Sequence, residues 1–105
     1  MDILMNSNIS DNISSLIDQY GELFNSFDNI YLFGSVLNIE EAPNDIDILL
    51  IYSKYSDIII NHLNIINSAF KNLSELPIDL TVLSVEEEKD TNFLKRLNSK
   101  YLRLK

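Results

Sequence analysis

Residues 29–52 read NIYLFGSVLNIEEAPNDIDILLIY, and this stretch decides the fold. Asn29 to Phe33 is a short apolar run rich in β-forming residues that enters Gly34-Ser35 without a spacer. After a polar connection, Glu40 to Asn44, the segment Asp45 to Tyr52 reads as a second strand. It opens on alternation and becomes continuously apolar, the pattern of a strand with one functional end and a buried interior. Successive strand side chains leave opposite faces, so Asp45 and Asp47 share one face while Ile46 and Ile48 point into a core. Carboxylates set among core residues are costly to bury unless a partner such as a divalent cation stabilises them.

Working outward, Ser10 and Asp11 offer a helix start. Ile13, Leu16, Ile17, Tyr20, Leu23, Phe24 and Phe27 follow at helical spacing, which predicts a helix over residues 10–26. Beyond the second strand, Ser53 or Ser56 can cap a helix whose apolar stripe runs from Ile58 to Leu73 and includes His62. Pro77 opens a third strand, Ile78 to Leu83, with Asp79 between apolar neighbours. Ser84 and Glu87 have the spacing of a capping box for a final helix carrying Phe93, Leu94 and Leu97. The order α-β-β-α-β-α predicts an α+β fold, a small mixed β-sheet backed by helices.

The 105 residues suit a single domain, residues 1–105, and 46% hydrophobic content is that of an ordinary globular chain. There is no cysteine, which excludes disulfides, thiol nucleophiles and Cys-ligated zinc, and one histidine disfavours a His-based metal site or a Ser-His-Asp triad. No apolar run approaches the roughly 18 residues of a membrane span, so a cytoplasmic protein with no membrane partner is expected. The net charge of −8 has the wrong sign for direct nucleic-acid binding. The bases are segregated: Lys89, Lys95, Arg96, Lys100, Arg103 and Lys105 lie near the C-terminal end, and only Lys54 and Lys71 precede them. That segment reads either as a solvated helix face or as a patch for a phosphate or an acidic surface.

Asp45, Asp47 and Asp79 form the set of oxygen donors that Mg²⁺ sites use, and a pair from one strand plus a third from another suits two-metal phosphoryl or nucleotidyl transfer. Gly34 allows close backbone approach to a ligand, and Ser35 adds a hydroxyl donor. In order, Phe33-Gly34-Ser35, nine residues, Asp45-Ile46-Asp47-Ile48 and then Ile78-Asp79-Leu80 resemble the signature of the DNA polymerase beta-like nucleotidyltransferases. The short chain is most similar to the minimal nucleotidyltransferases, and the resemblance implies their fold. It also implies that Gly34 and Ser35 hold nucleotide phosphates, that Asp45, Asp47 and Asp79 bind two Mg²⁺ ions, and that Asp79 helps to deprotonate the attacking hydroxyl. Where many relatives follow Gly-Ser with a basic residue and a second small one, this chain has Val36, Leu37, Asn38, Ile39, Glu40 and Glu41.

The resemblance further implies ATP as donor and transfer of AMP to a hydroxyl of a protein partner, as in antitoxins paired with HEPN-type ribonuclease toxins. The acidic body suits a basic partner. Two other readings stand beside this one: a non-catalytic neutralising module of the same fold, and one subunit of a small-molecule, antibiotic-type adenylyltransferase. A homo-oligomer is compatible with each. A chance Asp-x-Asp in a plain α+β domain is the bland reading. His62 reads as a packed or half-exposed helix residue, Tyr31, Tyr52, Tyr55 and Tyr101 as core or strand-edge residues, and Glu86 to Glu88 as acids favoured by a helix N-terminus. Lys54 reads as solvated rather than as a phosphate contact.

Overall fold

The computed structural model describes residues 13–34, 37, 45–71 and 76–105. The chain begins with helical residues 13–19, here α1, and a second turn of helix, α2 (Gly21–Phe24). Four strands follow: β1 (Asn29–Phe33), β2 (Ile46–Tyr52), β3 (Ile78–Ser84) and β4 (Tyr101–Arg103). Helix α3 (Asp57–Lys71) joins β2 to β3, and α4 (Val85–Thr91) and α5 (Phe93–Arg96) join β3 to β4. The sheet order is β3-β2-β1-β4, with β2 and β3 parallel and the other two pairs antiparallel. This is the mixed sheet with helices expected of an α+β fold.

The first face of the sheet carries the main core. Ile30 and Leu32 from β1 and Ile46, Ile48 and Leu50 from β2 pack with Ile13, Ile17, Phe24, Phe27, Ile59, Ile66 and Phe70, all buried. Ile59, Ile66 and Phe70 of the expected α3 stripe face the sheet, whereas Ile58 and Ile65 are exposed and Leu73 lies outside the described residues. On the opposite face of β2, Leu49 and Ile51 are also buried, and α4 contacts both β2 and β3. Asp45 and Asp47 precede them on that face and are only half-buried. The switch from alternating to continuous apolarity along Asp45 to Tyr52 thus follows the burial of this face of β2, half-buried at Asp47 and buried at Leu49 and Ile51.

The helix expected over residues 10–26 is interrupted. Tyr20 leaves helical geometry (φ −108°, ψ 40°), and α2 restarts with Leu23 and Phe24 donating their N–H groups to the Tyr20 carbonyl. Gly21, at the restart, has the weakest hold of any non-proline residue on a continuous helix; residues 10–12 lie outside the described residues. The final helix is likewise split, because Asn92 adopts a left-handed conformation (φ 53°) between α4 and α5. The capping box forms as its spacing predicts: Ser84 Oγ accepts from the Glu87 N–H at 3.0 Å, and Glu87 Oε1 accepts from the Ser84 N–H at 2.9 Å. Glu88 carries the chain across the break, accepting the Leu94 N–H at 3.2 Å. His62 is half-buried on α3, its Nδ1 2.8 Å from Ser26 Oγ.

The largest departure from the expected order is β4. Residues read as a basic tail instead pair with the outer edge of β1, Tyr101 opposite Phe33 and Arg103 opposite Tyr31. Lys105 secures this end: its Nζ donates to the carbonyl oxygens of Phe24 and Phe27, at 2.7 Å each, just past α2, where the Phe24 carbonyl also accepts the Phe27 N–H at 3.0 Å. Lys105→Met keeps the stem and removes both charge-assisted bonds, so it is expected to cost about 1–3 kcal/mol of unfolding free energy. Chemical denaturation at neutral pH measures this, and an unchanged midpoint would show that water serves the two carbonyls equally well. No helix among the described residues is long and apolar enough to cross a membrane.

Candidate functional site

The site is assembled by strand register. In β1 and β2, Phe33 lies opposite Asp47, and in β2 and β3, Asp47 lies beside Asp79. With Tyr101 opposite Phe33, one row crosses the whole sheet: Tyr101, Phe33, Asp47, Asp79. Asp45 sits two residues before Asp47 on the same face. One carboxylate oxygen from each of Asp45, Asp47 and Asp79 lies within 4.8 Å of the others, so the three acids named by the sequence converge. Asp45 and Asp47 are half-buried, and Asp79 is exposed.

Three carboxylates this close repel one another. Burial holds the Asp47 carboxyl above the ordinary carboxylate range, and the charges of Asp45 and then Asp79 push it further in the same direction. Strand register keeps the Asp47 and Asp79 backbones side by side despite this repulsion, with Asp45 two residues before Asp47. An all-oxygen donor set of this geometry and charge fits a hard divalent cation such as Mg²⁺.

Gly34 closes the site from the β1 side. Its φ of 87° is open to glycine and strained for other residues, and a Cβ built on it would collide with Asp47 Oδ2. The backbone therefore passes directly along the Asp47 carboxylate, and the Leu37 N–H donates to the Gly34 carbonyl at 3.1 Å to close the turn. Ser35, the other phosphate-binding residue expected from the sequence, lies outside the described residues.

One opening adjoins Gly34 and another includes Asp79. A cavity of about 550 Å³ is lined by Gly34, Leu37, Ser99, Lys100, Tyr101 and Leu102. A groove of about 340 Å³ follows the outer strand β3 and includes Asp79, Leu63, Asn64 and Asn67. Sequence reasoning missed the role of Lys100 and Tyr101 in lining a cavity beside Gly34. The available signal was the alternation of Tyr101 to Lys105, which is short and ambiguous between tail and edge strand. Aromatic packing steadies this side: Tyr31 meets Tyr101 edge-on with ring centroids 5.2 Å apart, and Phe33 meets Phe93 at 5.4 Å. Lys54 is exposed beyond the opposite end of β2.

Neither a protein-family model nor any curated protein sequence matches the chain. A crystal structure from Sulfolobus solfataricus, provisionally assigned as a nucleotidyltransferase, is similar to it with a TM-score of 0.60. The sequences are 18% identical, and the match covers 97% of this chain and 84% of that one. The likeness establishes the fold: a small α+β architecture of nucleotidyltransferase type, consistent with the polymerase beta-like arrangement that the sequence resembles.

Proposed function

We propose that the protein is a metal-dependent nucleotidyltransferase that moves AMP from ATP to a hydroxyl of a protein partner, as antitoxin to a HEPN-type ribonuclease toxin. The observation that carries the transferase reading is the convergence of Asp45, Asp47 and Asp79 beside a glycine turn that only a side-chain-free residue can make. Asp45, Asp47 and Asp79 would hold two Mg²⁺ ions, which when bound supply Lewis-acid stabilisation of the transferred phosphoryl group and of its attacking and leaving oxygens. Gly34 and Ser35 would hold the nucleotide phosphates. Asp79, the exposed acid, faces the groove along β3 and takes the proton of the incoming hydroxyl. That oxygen bonds to the α-phosphorus as the bond to the β-phosphate oxygen breaks, and pyrophosphate leaves. The acidic charge of the chain supports a basic partner in a cytoplasmic toxin–antitoxin pair, and a shared acceptor surface would also suit a homo-oligomer.

One observation favours a second reading, a neutraliser of the same fold without turnover: residues 34–44 hold no Lys or Arg and two acids, Glu40 and Glu41. Calorimetric titration with ATP, first with Mg²⁺ and then with EDTA, is expected to show binding that depends on the metal. Asp79→Asn is expected to lower transfer of labelled AMP by about 10²-fold or more while changing ATP affinity little, as befits a general base. No binding at millimolar ATP would overturn the transferase reading. Binding of the toxin with no label transferred to it would favour the neutraliser.

A further inference from the structure

We propose that Lys100 binds the β- and γ-phosphates of the donor nucleotide, supplying from the turn before β4 the positive charge that the segment after Gly34 lacks. The inference rests on the nucleotidyltransferase reading above and extends its site to a residue that the phosphate signature does not include.

A triphosphate beside three carboxylates needs cationic neighbours in addition to metal, and residues 34–44 provide none. The fold brings one in from the other end of the chain. Gly34 runs beside the Asp47 carboxylate and also lines the 550 Å³ cavity, so this residue links the two. Its volume is that of a small-molecule site. Among its described lining residues, Lys100 is the cation. The transverse row sets the scale: Tyr101 is two strands from Asp47, so Lys100, one residue before it, leaves the backbone about 10 Å from the Asp47 backbone. A phosphate tail running from an α-phosphate at the carboxylates past Gly34 would reach it.

Lys100 is also held in place rather than carried on a loose end. The turn that delivers it contains two successive left-handed residues, Asn98 (φ 53°) and Ser99 (φ 66°). The Lys100 N–H donates to the Leu97 carbonyl at 2.9 Å, and Tyr101 is then locked into the β1 ladder. Left-handed geometry at a non-glycine residue such as Ser99 is uncommon and persists where surrounding structure imposes it. Two other bases are less well placed. Lys105 is committed to the carbonyls of Phe24 and Phe27, and Lys54 lies seven residues along from Asp47, about 23 Å away in extended chain. When the bond between the α-phosphorus and the bridging oxygen breaks, the new negative charge falls on the pyrophosphate, beside the Lys100 ammonium.

The test is titration of the full chain with ATP, AMP and pyrophosphate, each with Mg²⁺, for wild type, Lys100→Ala, Lys100→Arg and Lys89→Ala. Lys89 is an exposed lysine on α4 that matches the change in net charge. Lys100→Ala is expected to weaken ATP and pyrophosphate about ten- to thirtyfold, the size of a lost charge-assisted contact, and to leave AMP within about twofold. Lys100→Arg should retain most of the affinity and Lys89→Ala all of it. If wild type binds ATP and Lys100→Ala binds it equally well, Lys100 has no such role. Equal weakening by Lys89→Ala would reduce the effect to net charge, and equal weakening of AMP would remove Lys100 from the tail; either overturns the proposal. Failure of wild type to bind ATP or pyrophosphate with Mg²⁺ would instead bring down the nucleotidyltransferase reading and this inference with it.

Discussion

Replacing Gly34 with alanine is expected to abolish metal-dependent nucleotide binding and to lower the unfolding free energy by about 2–4 kcal/mol. Two costs add. The backbone at φ 87° is strained for any residue with a Cβ, and that Cβ is aimed at Asp47 Oδ2. The carboxylate cannot retreat without cost, since Asp47 is fixed in register between Phe33 and Asp79. Either the acid swings out of the triad or the β1–β2 pairing gives way at its functional end. Combining Gly34→Ala with Asp47→Ala separates the two costs, because it relieves the collision and leaves the backbone strain. The double variant should therefore recover part of the lost stability, a non-additive coupling expected of groups in direct contact. An alanine variant that unfolds at the wild-type midpoint would sink the claim that backbone and carboxylate are this close.

Asp47→Asn is expected to have opposite effects on function and on the metal-free fold. Transfer should fall about 10³-fold, since the substitution removes a charged donor from a set whose bound metals supply several kcal/mol of transition-state stabilisation. In EDTA at pH 7 the same variant should be more stable than wild type by about 1 kcal/mol, the gain common when strain at a functional site is relieved. The sign follows from Asp47 having a higher pKa in the folded protein than in the unfolded chain. Its contribution is intact below the ordinary carboxylate pKa of about 4 and is lost as pH rises through the raised folded value. The advantage of Asn over Asp should therefore vanish in acid and grow toward neutrality. Mg²⁺ should stabilise wild type and do little for the variant. Thermal unfolding with Mg²⁺ or EDTA across that pH range checks all three statements. An Asp47→Asn variant less stable than wild type in EDTA at pH 7 would mean that the fold itself satisfies this carboxylate.

Much of this site was legible before any tertiary contact. Strand β1 runs over the residues its composition marks, because Asn29 to Phe33 is bounded by turn-formers. The alternation in Asp45-Ile46-Asp47-Ile48 put both acids on one face, since strand side chains have period two. Ser84 and Glu87 formed their capping box because its geometry involves only three residues of separation. Where local preference was weak, the reading failed. Helix breaks at Tyr20 and Asn92 occur where glycine or a left-handed asparagine lets tertiary packing choose the path.

Residues and their faces were thus determined by the sequence alone: three acids, a glycine turn, and the apolar pattern that orients them. The tertiary structure decided what meets what. It set Asp79 beside Asp47, laid Gly34 along that carboxylate, and turned a basic segment into a strand that lines a cavity near the acids. Period and capping are properties of neighbouring residues. Register between strands and the pairing of β4 with the edge of β1 depend on burial and hydrogen bonds between residues far apart in the chain, which no local pattern encodes.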